Sequence, residues 1–360
     1  MAALSIANVP ANAKVIVGVD THKHTHLARA KDGLGRHLGQ LEIATDPGGY
    51  AELLAWAQGL GPGRTFGIEG TSSYGAGLAR YLHAHGESII EVLRPTRQDR
   101  RLRGKSDPID ADAAAQAVIS GKANAVPKAG DASVEMVRAI RTAKVSAIKA
   151  RTQTMNAVKA LIVVAPDVIR EQLRGLTAAA LIRTCCGYRV DQVTDPTSAI
   201  KRALRSMCRR YAALDQEVRS LEKELDALTT KAVPGLCQLP GVGQDVASAI
   251  LLAAGDGGAR LRSDAAFSML CGSSPIPASP GIVRRHRLNR GGDRQANAAL
   301  HRIVVVRLKY HQPTKDYVAR RTAEGKSKKD IIRCLKRYVA REVFKTLTAP
   351  KAEPVTVAAA

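Results

Sequence analysis

Near its start the chain carries an apolar run that ends in an acid: Val15-Ile16-Val17-Gly18-Val19-Asp20. A short apolar run rich in β-branched residues is typical of a strand that is buried on both faces. A carboxylate that ends such a strand is costly to bury unless it is paired or bound to a metal. The run therefore predicts a buried strand that carries Asp20 to a site at its end.

The segments after this run predict a small sheet covered by helices. Strand-like runs at 24–30 and 37–44 follow the first one, with short turns between them, and indicate an antiparallel meander of three strands. A helix at 50–58, a strand into Glu69, a helix at 78–84, a strand at 88–93 and a helix from Pro108 come next. The order βββαβαβα is typical of the ribonuclease H-like α/β fold.

Three further acids are candidates for the same site as Asp20. Glu69 ends the apolar run Phe66-Gly67-Ile68, and Asp107 and Asp110 open the helix that begins near Pro108. Two cations held about 4 Å apart can stabilise both the attacking and the leaving oxygen of a phosphoryl transfer. Ligand sets made only of oxygen suit Mg²⁺ or Mn²⁺ rather than zinc. We expect these four acids to bind Mg²⁺, with Mn²⁺ as the alternative.

The helical pair also has an interpretation that needs no metal. Asp107 before Pro108 is a favourable helix N-cap, and Asp110 would then lie in the first turn. Residues three apart share a helix face, so capping and metal binding are compatible. Asp112 is expected to point away from Asp110 and is left out of the site.

Three histidines follow Asp20 at alternate positions, His22, His24 and His26. Alternate residues of a strand lie on the same face. The spacing predicts one strand face that is solvated or directed at phosphate, in preference to a metal site.

The composition indicates an intracellular protein that binds nucleic acid. The 360 residues carry a formal net charge of +23, which attracts polyanions. Aromatic residues make up only 3% of the chain, which favours contacts to phosphate over stacking on bases. The six cysteines show no C-x-x-C spacing and are expected to be reduced thiols. No signal peptide is evident and no apolar stretch is long enough to span a bilayer, so we expect a cytoplasmic, nucleoid-associated protein without a membrane partner.

The middle of the chain is predicted to be helical. Residues 132–162 contain no proline or glycine, and a second helix carries apolar residues that alternate three and four apart: Met207, Tyr211, Leu214, Val218, Leu221, Leu225 and Leu228. Such heptads indicate a coiled-coil seam, either between these two helices or between two chains. An ordinary helical hairpin within one chain is an equally compatible interpretation.

A mainly helical region begins after the break at Val233-Pro234-Gly235. The stretch Leu239-Pro240-Gly241-Val242-Gly243, followed by a helix, is similar to a helix-hairpin-helix element, in which backbone N–H groups at Gly241 and Gly243 bind a phosphate. A simple turn is the alternative. The predicted domains are 1–125, a catalytic α/β domain; 126–232, a helical coiled-coil region; 233–348, a second catalytic domain; and 349–360, a disordered tail.

Two basic clusters lie in this last region. The first follows Ser279 and is expected to clamp phosphates; it consists of Arg284, Arg285, Arg287, Arg290 and Arg294. The second is on the final helix and is expected to follow a nucleic-acid backbone; it consists of Lys328, Lys329, Arg333, Lys336, Arg337, Arg341 and Lys345. For any single residue of these clusters, an ordinary solvated position is the alternative.

These motifs, in this order, resemble the DEDD transposases of bacterial insertion sequences over nearly the whole chain. The first half of the resemblance rests on Gly18-Val19-Asp20-Thr21-His22-Lys23, Ile68-Glu69 and Lys105-Ser106-Asp107-Pro108-Ile109-Asp110-Ala111. The second half rests on Leu239-Pro240-Gly241-Val242-Gly243, Cys271-Gly272, Ala278-Ser279 and the run from His286 to Arg294.

The resemblance implies a recombinase with a RuvC-like first domain and a C-terminal serine domain. It implies that Asp20, Glu69, Asp107 and Asp110 bind Mg²⁺, and that Ser279 attacks the scissile phosphate. It also implies donor and target DNA as substrates, a structured noncoding bridge RNA as guide, and homodimers that assemble into tetramers. Members of the family often show Ser-Ser-Gly where this chain has Ser279-Pro280-Gly281, so the chain keeps only the first serine position.

Two other functions use the same residues. A junction-resolving endonuclease of the RuvC type would use water as nucleophile and would not need Ser279. A non-catalytic nucleic-acid-binding protein would keep its function in an Asp20→Asn variant. The sequence contains no G-x-x-x-x-G-K-[ST] nucleotide-binding loop, so strands would have to be rejoined without ATP. A covalent serine intermediate allows this, because it keeps the energy of the broken phosphodiester bond.

Overall fold

The structure is a computed structural model that describes residues 14–92, 107–123, 125–127, 132–255, 261–278 and 286–349. Ser279, Arg284 and Arg285 lie outside the described residues, as does the predicted tail from Pro350 onward. The side chain of Asp107 is likewise not described, although its backbone is. The chain divides into two compact units, Met1–Asp131 and Ala132–Ala360, called here the N-terminal and the C-terminal unit.

The N-terminal unit is a five-stranded mixed sheet with helices. Its strands are ordered β3-β2-β1-β4-β5; β1, β2 and β3 pair antiparallel, whereas β4 pairs parallel with both β1 and β5. Its elements are β1 (Val15–Thr21), β2 (Thr25–Lys31), β3 (His37–Ala44), α1 (Pro47–Leu60), β4 (Arg64–Glu69), α2 (Ala76–Ala84), β5 (Ser88–Val92) and α3 (Asp107–Ile119). The α/β prediction is confirmed, and the order of elements is consistent with a RuvC-like domain.

The two faces of this sheet are covered by different helices. Val15, Val17 and Val19 belong to one apolar core with residues of α1 and α2. The alternate residues of β1 point to the opposite face, where Gly18 lies against α3. Every residue of β1 is buried, as expected for a central strand covered on both sides.

The C-terminal unit is almost entirely helical, as predicted. Its helices are α4 (Ala132–Val163), α5 (Asp167–Leu173), α6 (Ala178–Cys186), α7 (Pro196–Ala232), α8 (Gln244–Ala254), α9 (Asp264–Leu270), α10 (Arg294–Tyr310), α11 (Gln312–Ala323) and α12 (Lys328–Thr348). Two short strands, β6 (Ile276–Pro277) and β7 (His286–Arg287), pair antiparallel. All six cysteines of the chain are free thiols.

The long helices α4 and α7 pack against each other within one chain. Val158 of α4 and Leu204 of α7 share one apolar cluster, and Val134 and Leu225 share another. The stretch between these clusters adds two ion pairs across the helices, Arg151 with Asp215 at 2.5 Å and Lys144 with Glu222 at 3.2 Å. Contact within one chain is one of the two predicted arrangements; a supercoiled geometry of the pair stays a prediction.

The main core of the C-terminal unit lies among α8, α9, α10 and α12. The chain enters it through a 3₁₀ turn, Leu236–Gln238, and a bend at Gly241, whose φ of 77° is in the left-handed region that favours glycine. A Cβ on Gly241 would lie 3.1 Å from the carbonyl oxygen of Ile303. Gly241 thus has a packing role, and a helix-hairpin-helix function for this bend stays a prediction.

None of the helices in the described residues is both long enough and apolar enough to cross a bilayer.

Candidate active site

Asp20 and Glu69 lie at the carboxyl ends of neighbouring parallel strands. Val19 of β1 and Ile68 of β4 are register partners, so the acid that follows each of them is next to the other. The hydroxyl of Thr21 donates to the backbone carbonyl of Glu69 at 3.0 Å and ties the two strand ends together. Asp20 and Glu69 are only 7% and 8% exposed. The sequence thus places two buried carboxylates side by side, as predicted from the two apolar runs.

Both acids lie on the sheet face that packs against α3. Side chains alternate along a strand, so Asp20 shares the face of Gly18, and Glu69 shares the face of Gly67. These glycines are themselves register partners across β1 and β4. Phe66 and Ile68, on the other face of β4, belong to the core formed with α1 and α2.

The paired glycines let α3 approach the sheet closely. A Cβ on Gly18 would lie 2.1 Å from the carbonyl oxygen of Ala111, and a Cβ on Gly67 would lie 2.7 Å from Cγ2 of Val118. Contacts below 3.0 Å require a shift, and a shift of helix backbone is costly. Ala111 and Ala115 are fully buried against this slot. We call the pair Gly18 and Gly67 the glycine slot.

The polar contacts of α3 show which way it runs across the sheet. Arg29 of β2 donates to the carbonyl of Pro108 at 3.4 Å, and Lys31, nearer the amino end of β1, donates to Asp112 at 2.7 Å. The helix therefore begins toward the carboxyl end of β1, where Asp20 lies. Asp110, one turn into the helix, is partly buried.

Asp112 has a structural role that the sequence analysis missed. Its carboxylate is 2.7 Å from Nζ of Lys31 and 3.5 Å from Nη1 of Arg29. The Lys31 side chain is only 10% exposed, so this pairing neutralises a nearly buried cation. The alternation of Arg29 and Lys31 along one strand face was the available signal, because two cations there need a facing acid.

The prediction that His22, His24 and His26 share one strand face is wrong. β1 ends at Thr21 and β2 begins at Thr25, so His22 and His24 lie in the turn between the strands. Only His26 is within a strand; it is fully buried and stacks on Tyr50 at 6.1 Å between ring centroids. Nδ1 of His22 lies 3.9 Å from Oδ2 of Asp20.

The described acids fit a hard divalent cation in chemistry but do not complete a site. Adjacent buried carboxylates repel each other and are stabilised by a shared cation. Among the described side chains, however, no group of three or more His, Cys, Asp and Glu is arranged to hold a metal ion. In the structure, Asp20 and Glu69 lie together, and α3 begins near the strand ends that carry them. The site of four acids stays a prediction.

In the C-terminal unit, two touching glycines flank the part of the sequence that contains Ser279. A Cβ on Gly292 would lie 2.2 Å from the backbone nitrogen of Gly272. The backbone N–H of Asp293 donates to the carbonyl of Leu270 at 2.6 Å, and Asn297 donates to the carbonyls of residues 271 and 272 at 2.7 and 3.1 Å. The predicted motifs Cys271-Gly272 and Gly291-Gly292-Asp293 therefore fix the base of this segment, which we call the serine segment (residues 273–291).

The described parts of the serine segment carry the short ladder of β6 and β7. Pro277 and His286 are register partners, so the chain leaves the ladder just before Ser279 and returns at His286. Arg287 and Arg290 are exposed, as is Arg294 at the start of α10. Ser273 bonds to Ser268 through its hydroxyl at 2.7 Å and so takes part in the turn after α9.

Two family models match the chain on either side of its middle region. A DEDD transposase model of the IS110 type, described as "Transposase", matches residues 17–165. A second model, described as "Transposase IS116/IS110/IS902 family", matches residues 234–319. The chain belongs to the IS110 family of DEDD transposases. The comparison with curated proteins found no match.

The family makes this transposase an enzyme that acts on DNA. The first match contains Asp20, Glu69, Asp107 and Asp110, and the second contains Ser279 with the arginines around it. Both candidate sites of the transposase therefore lie within matched residues, whereas the whole of α7 lies in neither match.

Proposed function

We propose that the transposase cuts and rejoins DNA strands with a Mg²⁺ site formed by Asp20, Glu69, Asp107 and Asp110 and with Ser279 as nucleophile. One observation carries the proposal: two buried carboxylates lie side by side at strand ends, on the face where α3 begins. Mn²⁺ is the expected substitute, because it accepts the same oxygen ligands.

The residues of the N-terminal unit would hold the cations and place the phosphate. The carboxylates at the ends of β1 and β4 are fixed by packing on both sheet faces, and the glycine slot fixes the distance of α3 from them. Cations bound there supply charge stabilisation for the attacking and the leaving oxygen. A site preorganised in this way needs little rearrangement during the reaction.

The serine step conserves the energy of the phosphodiester bond. The Oγ of Ser279 loses its proton and forms a bond to phosphorus, while the bond from phosphorus to one sugar oxygen breaks. That oxygen takes up a proton and leaves as a hydroxyl group, and the DNA stays attached through a phosphoserine. A hydroxyl of another strand then attacks the phosphoserine and releases Ser279, so joining needs no ATP.

The nucleic-acid partners follow from charge and from the family resemblance. The net charge of +23 favours binding of several backbone segments at once. We assign donor and target DNA as substrates, a structured noncoding bridge RNA as guide, and a homodimer that assembles into a tetramer. Phosphate contacts are assigned to Gly241, Gly243, Arg284, Arg285, Arg287, Arg290 and Arg294. We place the protein in the cytoplasm, at the nucleoid.

The domain assignment is part of this proposal. Residues 1–125 form the RuvC-like domain, 126–232 the coiled-coil region, 233–348 the serine domain and 349–360 a disordered tail.

A covalent-trapping assay tests the proposal. Full-length protein, the RNA encoded beside its gene and labelled donor and target duplexes are incubated with Mg²⁺, denatured and separated on a gel. We expect a protein–DNA adduct in the wild type that is absent in Ser279→Ala and in Asp20→Asn. Ser220→Ala and Asp46→Asn are the matched controls and should form the adduct, since neither residue belongs to the proposed sites.

The other outcomes identify the competing functions. Cleavage that persists in Ser279→Ala without an adduct would indicate a water-dependent nuclease. DNA binding without cleavage in any variant would indicate a non-catalytic binding protein.

A further inference from the structure

A cavity of about 660 Å³ lies in the C-terminal unit between one face of α12 and the described parts of the serine segment. Its walls include Ser273, Ser274 and Pro275 on one side, and His286 and Arg287 of β7 on another. Six cations of the described residues line it: Arg287, Lys326, Arg333, Lys336, Arg337 and Arg341. We call it the arginine pocket.

Three arginines of the pocket form a row along α12. Arg333, Arg337 and Arg341 are spaced four residues apart, so they lie on one helix face with a rise of about 6 Å from each to the next. Guanidinium groups bind phosphate oxygens through paired N–H donors. A row of this kind suits an extended ligand with repeated phosphates.

Two acids pair with this row of three arginines. Among the described residues of the pocket wall, Asp330 is the one carboxylate, and it pairs with Arg333 at 2.8 Å. Asp264, at the start of α9, accepts from Arg337 at 2.9 Å and from Arg341 at 3.0 Å. Hydrogen bonds from Arg341 and Arg337 hold the pKa of Asp264 below its usual range, so it stays charged and keeps both guanidinium groups in position.

Lys336 supports the wall of the pocket from within. It is 8% exposed, and its Nζ donates to Oδ1 of Asn297 at 2.6 Å. Asn297 in turn donates to the carbonyls of residues 271 and 272, at the base of the serine segment. The hydrogen bonds of Asn297 therefore connect α12 to residues 271 and 272, from which the chain continues toward Ser279.

The pocket lies beside the chain that carries Ser279. Pro275 in its wall is followed by β6, and Ser279 comes two residues after Pro277 at the end of that strand. The returning strand, with His286 and Arg287, also lines the pocket. A strand of nucleic acid in the pocket would therefore pass along the ladder of β6 and β7.

We propose that the arginine pocket binds backbone phosphates of the DNA strand that Ser279 attacks. The assignment of the ligand to DNA rests on the proposed function, because it is the serine reaction that requires a DNA strand at this ladder. Phosphate contacts place a strand without reading its sequence. Arg333 and Arg341 are therefore positioning residues for the attacked strand.

Salt-dependent binding tests the proposal. Full-length Ser279→Ala protein is titrated with a fluorescent DNA strand of about 20 nucleotides, with its duplex, and with RNA of the same sequence, at several salt concentrations. Each phosphate contact contributes about 0.7 to the slope of log K against log salt for single strands and about 0.9 for duplex DNA. The double variant Arg333→Gln/Arg341→Gln should lower the DNA slope by about 1.4 to 1.8.

A charge-matched control lies on α10 and α11. Lys309 and Lys315 are exposed, do not line the pocket and belong to neither basic cluster. Lys309→Gln/Lys315→Gln removes the same charge and should leave the slope nearly unchanged, whereas Arg333→Lys/Arg341→Lys should restore it. Thermal unfolding of each variant checks that the fold is kept.

The outcomes separate this proposal from the serine reaction. An equal loss of slope in both glutamine variants, or no loss in either, would overturn the pocket. A loss with RNA but not with DNA would overturn the DNA assignment. A loss confined to the pocket variant supports the pocket even if the wild type forms no adduct, in which case only the serine reaction fails.

Discussion

Each of the two candidate sites is built on a pair of glycines, but the two pairs have different structural roles. In the N-terminal unit, the glycine slot lies inside the sheet, and the acids follow within two residues on the same strands. In the C-terminal unit, Gly272 and Gly292 close the base of the serine segment, and Ser279 lies several residues beyond them. Core packing thus sets the position of the carboxylates directly, whereas it sets only the anchors of the serine segment.

The largest loss of stability is expected in the glycine slot, because the same close packing holds α3 and the carboxylate site. Gly18→Ala places a Cβ 2.1 Å from the carbonyl of Ala111 and forces α3 away from the sheet. We expect the free energy of unfolding of the N-terminal unit to fall by about 3 kcal/mol. Urea unfolding followed by the fluorescence of Trp56, the one tryptophan of the chain, measures this unit specifically.

Gly59→Ala is the matched control for that variant. Gly59 lies in α1, and an added Cβ would meet nothing within 4 Å. Alanine there should change stability by less than about 1 kcal/mol, in the stabilising direction. Similar unfolding curves for Gly18→Ala and wild type would contradict the glycine slot.

A smaller effect is expected at the base of the serine segment. Gly292→Ala puts a Cβ 2.2 Å from the backbone nitrogen of Gly272. We expect a loss of about 2 kcal/mol in the helical transition seen by circular dichroism, with the Trp56 transition unchanged. Gly243→Ala, whose Cβ would meet nothing within 4 Å, should leave both transitions in place. If Gly292→Ala behaves like Gly243→Ala, the two glycines do not anchor this segment.

The ion pair between Lys31 and Asp112 of α3 should contribute less to the free energy of unfolding than either glycine contact. Asp112→Asn leaves Lys31 nearly buried without its carboxylate, and we expect a loss of about 1–2 kcal/mol in the Trp56 transition. The exposed Glu52→Gln, in α1, should stay within about 0.5 kcal/mol of wild type. Equal stability of the two variants would show that Asp112 does not hold α3.

The smallest effect concerns His26. Its burial lowers the pKa of the imidazole below the usual 6.5, against the opposing effect of its hydrogen bond to the carbonyl of Thr25. The unfolded chain then binds a proton that the folded chain does not, so stability is full above about pH 6.5 and falls as the pH drops below it. Between about pH 7 and pH 5.5 this loss is at most about 1.4 kcal/mol.

His26→Phe keeps a ring against Tyr50 and removes the titration. Its Trp56 transition should therefore depend less on pH than that of the wild type. His83→Phe, in α2, should keep the dependence of the wild type. An unchanged pH dependence in His26→Phe would exclude His26 as its source.

The sequence predicted the N-terminal unit well because its signals are local. The apolar runs ending at Asp20 and Glu69 have the length and composition of buried strands, and the predicted strands and helices match the observed ones within a few residues. The one strand face predicted for His22, His24 and His26 was wrong, because alternate histidines follow the strand pattern although the chain turns between β1 and β2. The partner of Asp112 was missed because Lys31 is 81 residues away in sequence.

In the C-terminal unit, sequence motifs did not predict the tertiary contacts. Gly241, Gly272 and Gly292 were noticed as parts of motifs, yet their close contacts with Ile303 and with each other depend on the tertiary fold. The arginine pocket also needs the fold, since Arg287 and the row on α12 are more than 40 residues apart in sequence. The spacing of basic residues along α12 predicted a basic helix face. It could not predict that the serine segment forms the opposite wall of the pocket.

Mn²⁺ binding by calorimetry tests most directly whether the strand-end acids form a metal site. Full-length wild-type protein is compared with Asp20→Asn and Asp110→Asn, and with Asp46→Asn, which keeps the N-cap of α1. We predict that the wild type and Asp46→Asn bind Mn²⁺ alike, and that each site variant binds it roughly 100-fold more weakly. Equal binding by wild type, Asp20→Asn and Asp110→Asn would contradict the carboxylate metal site.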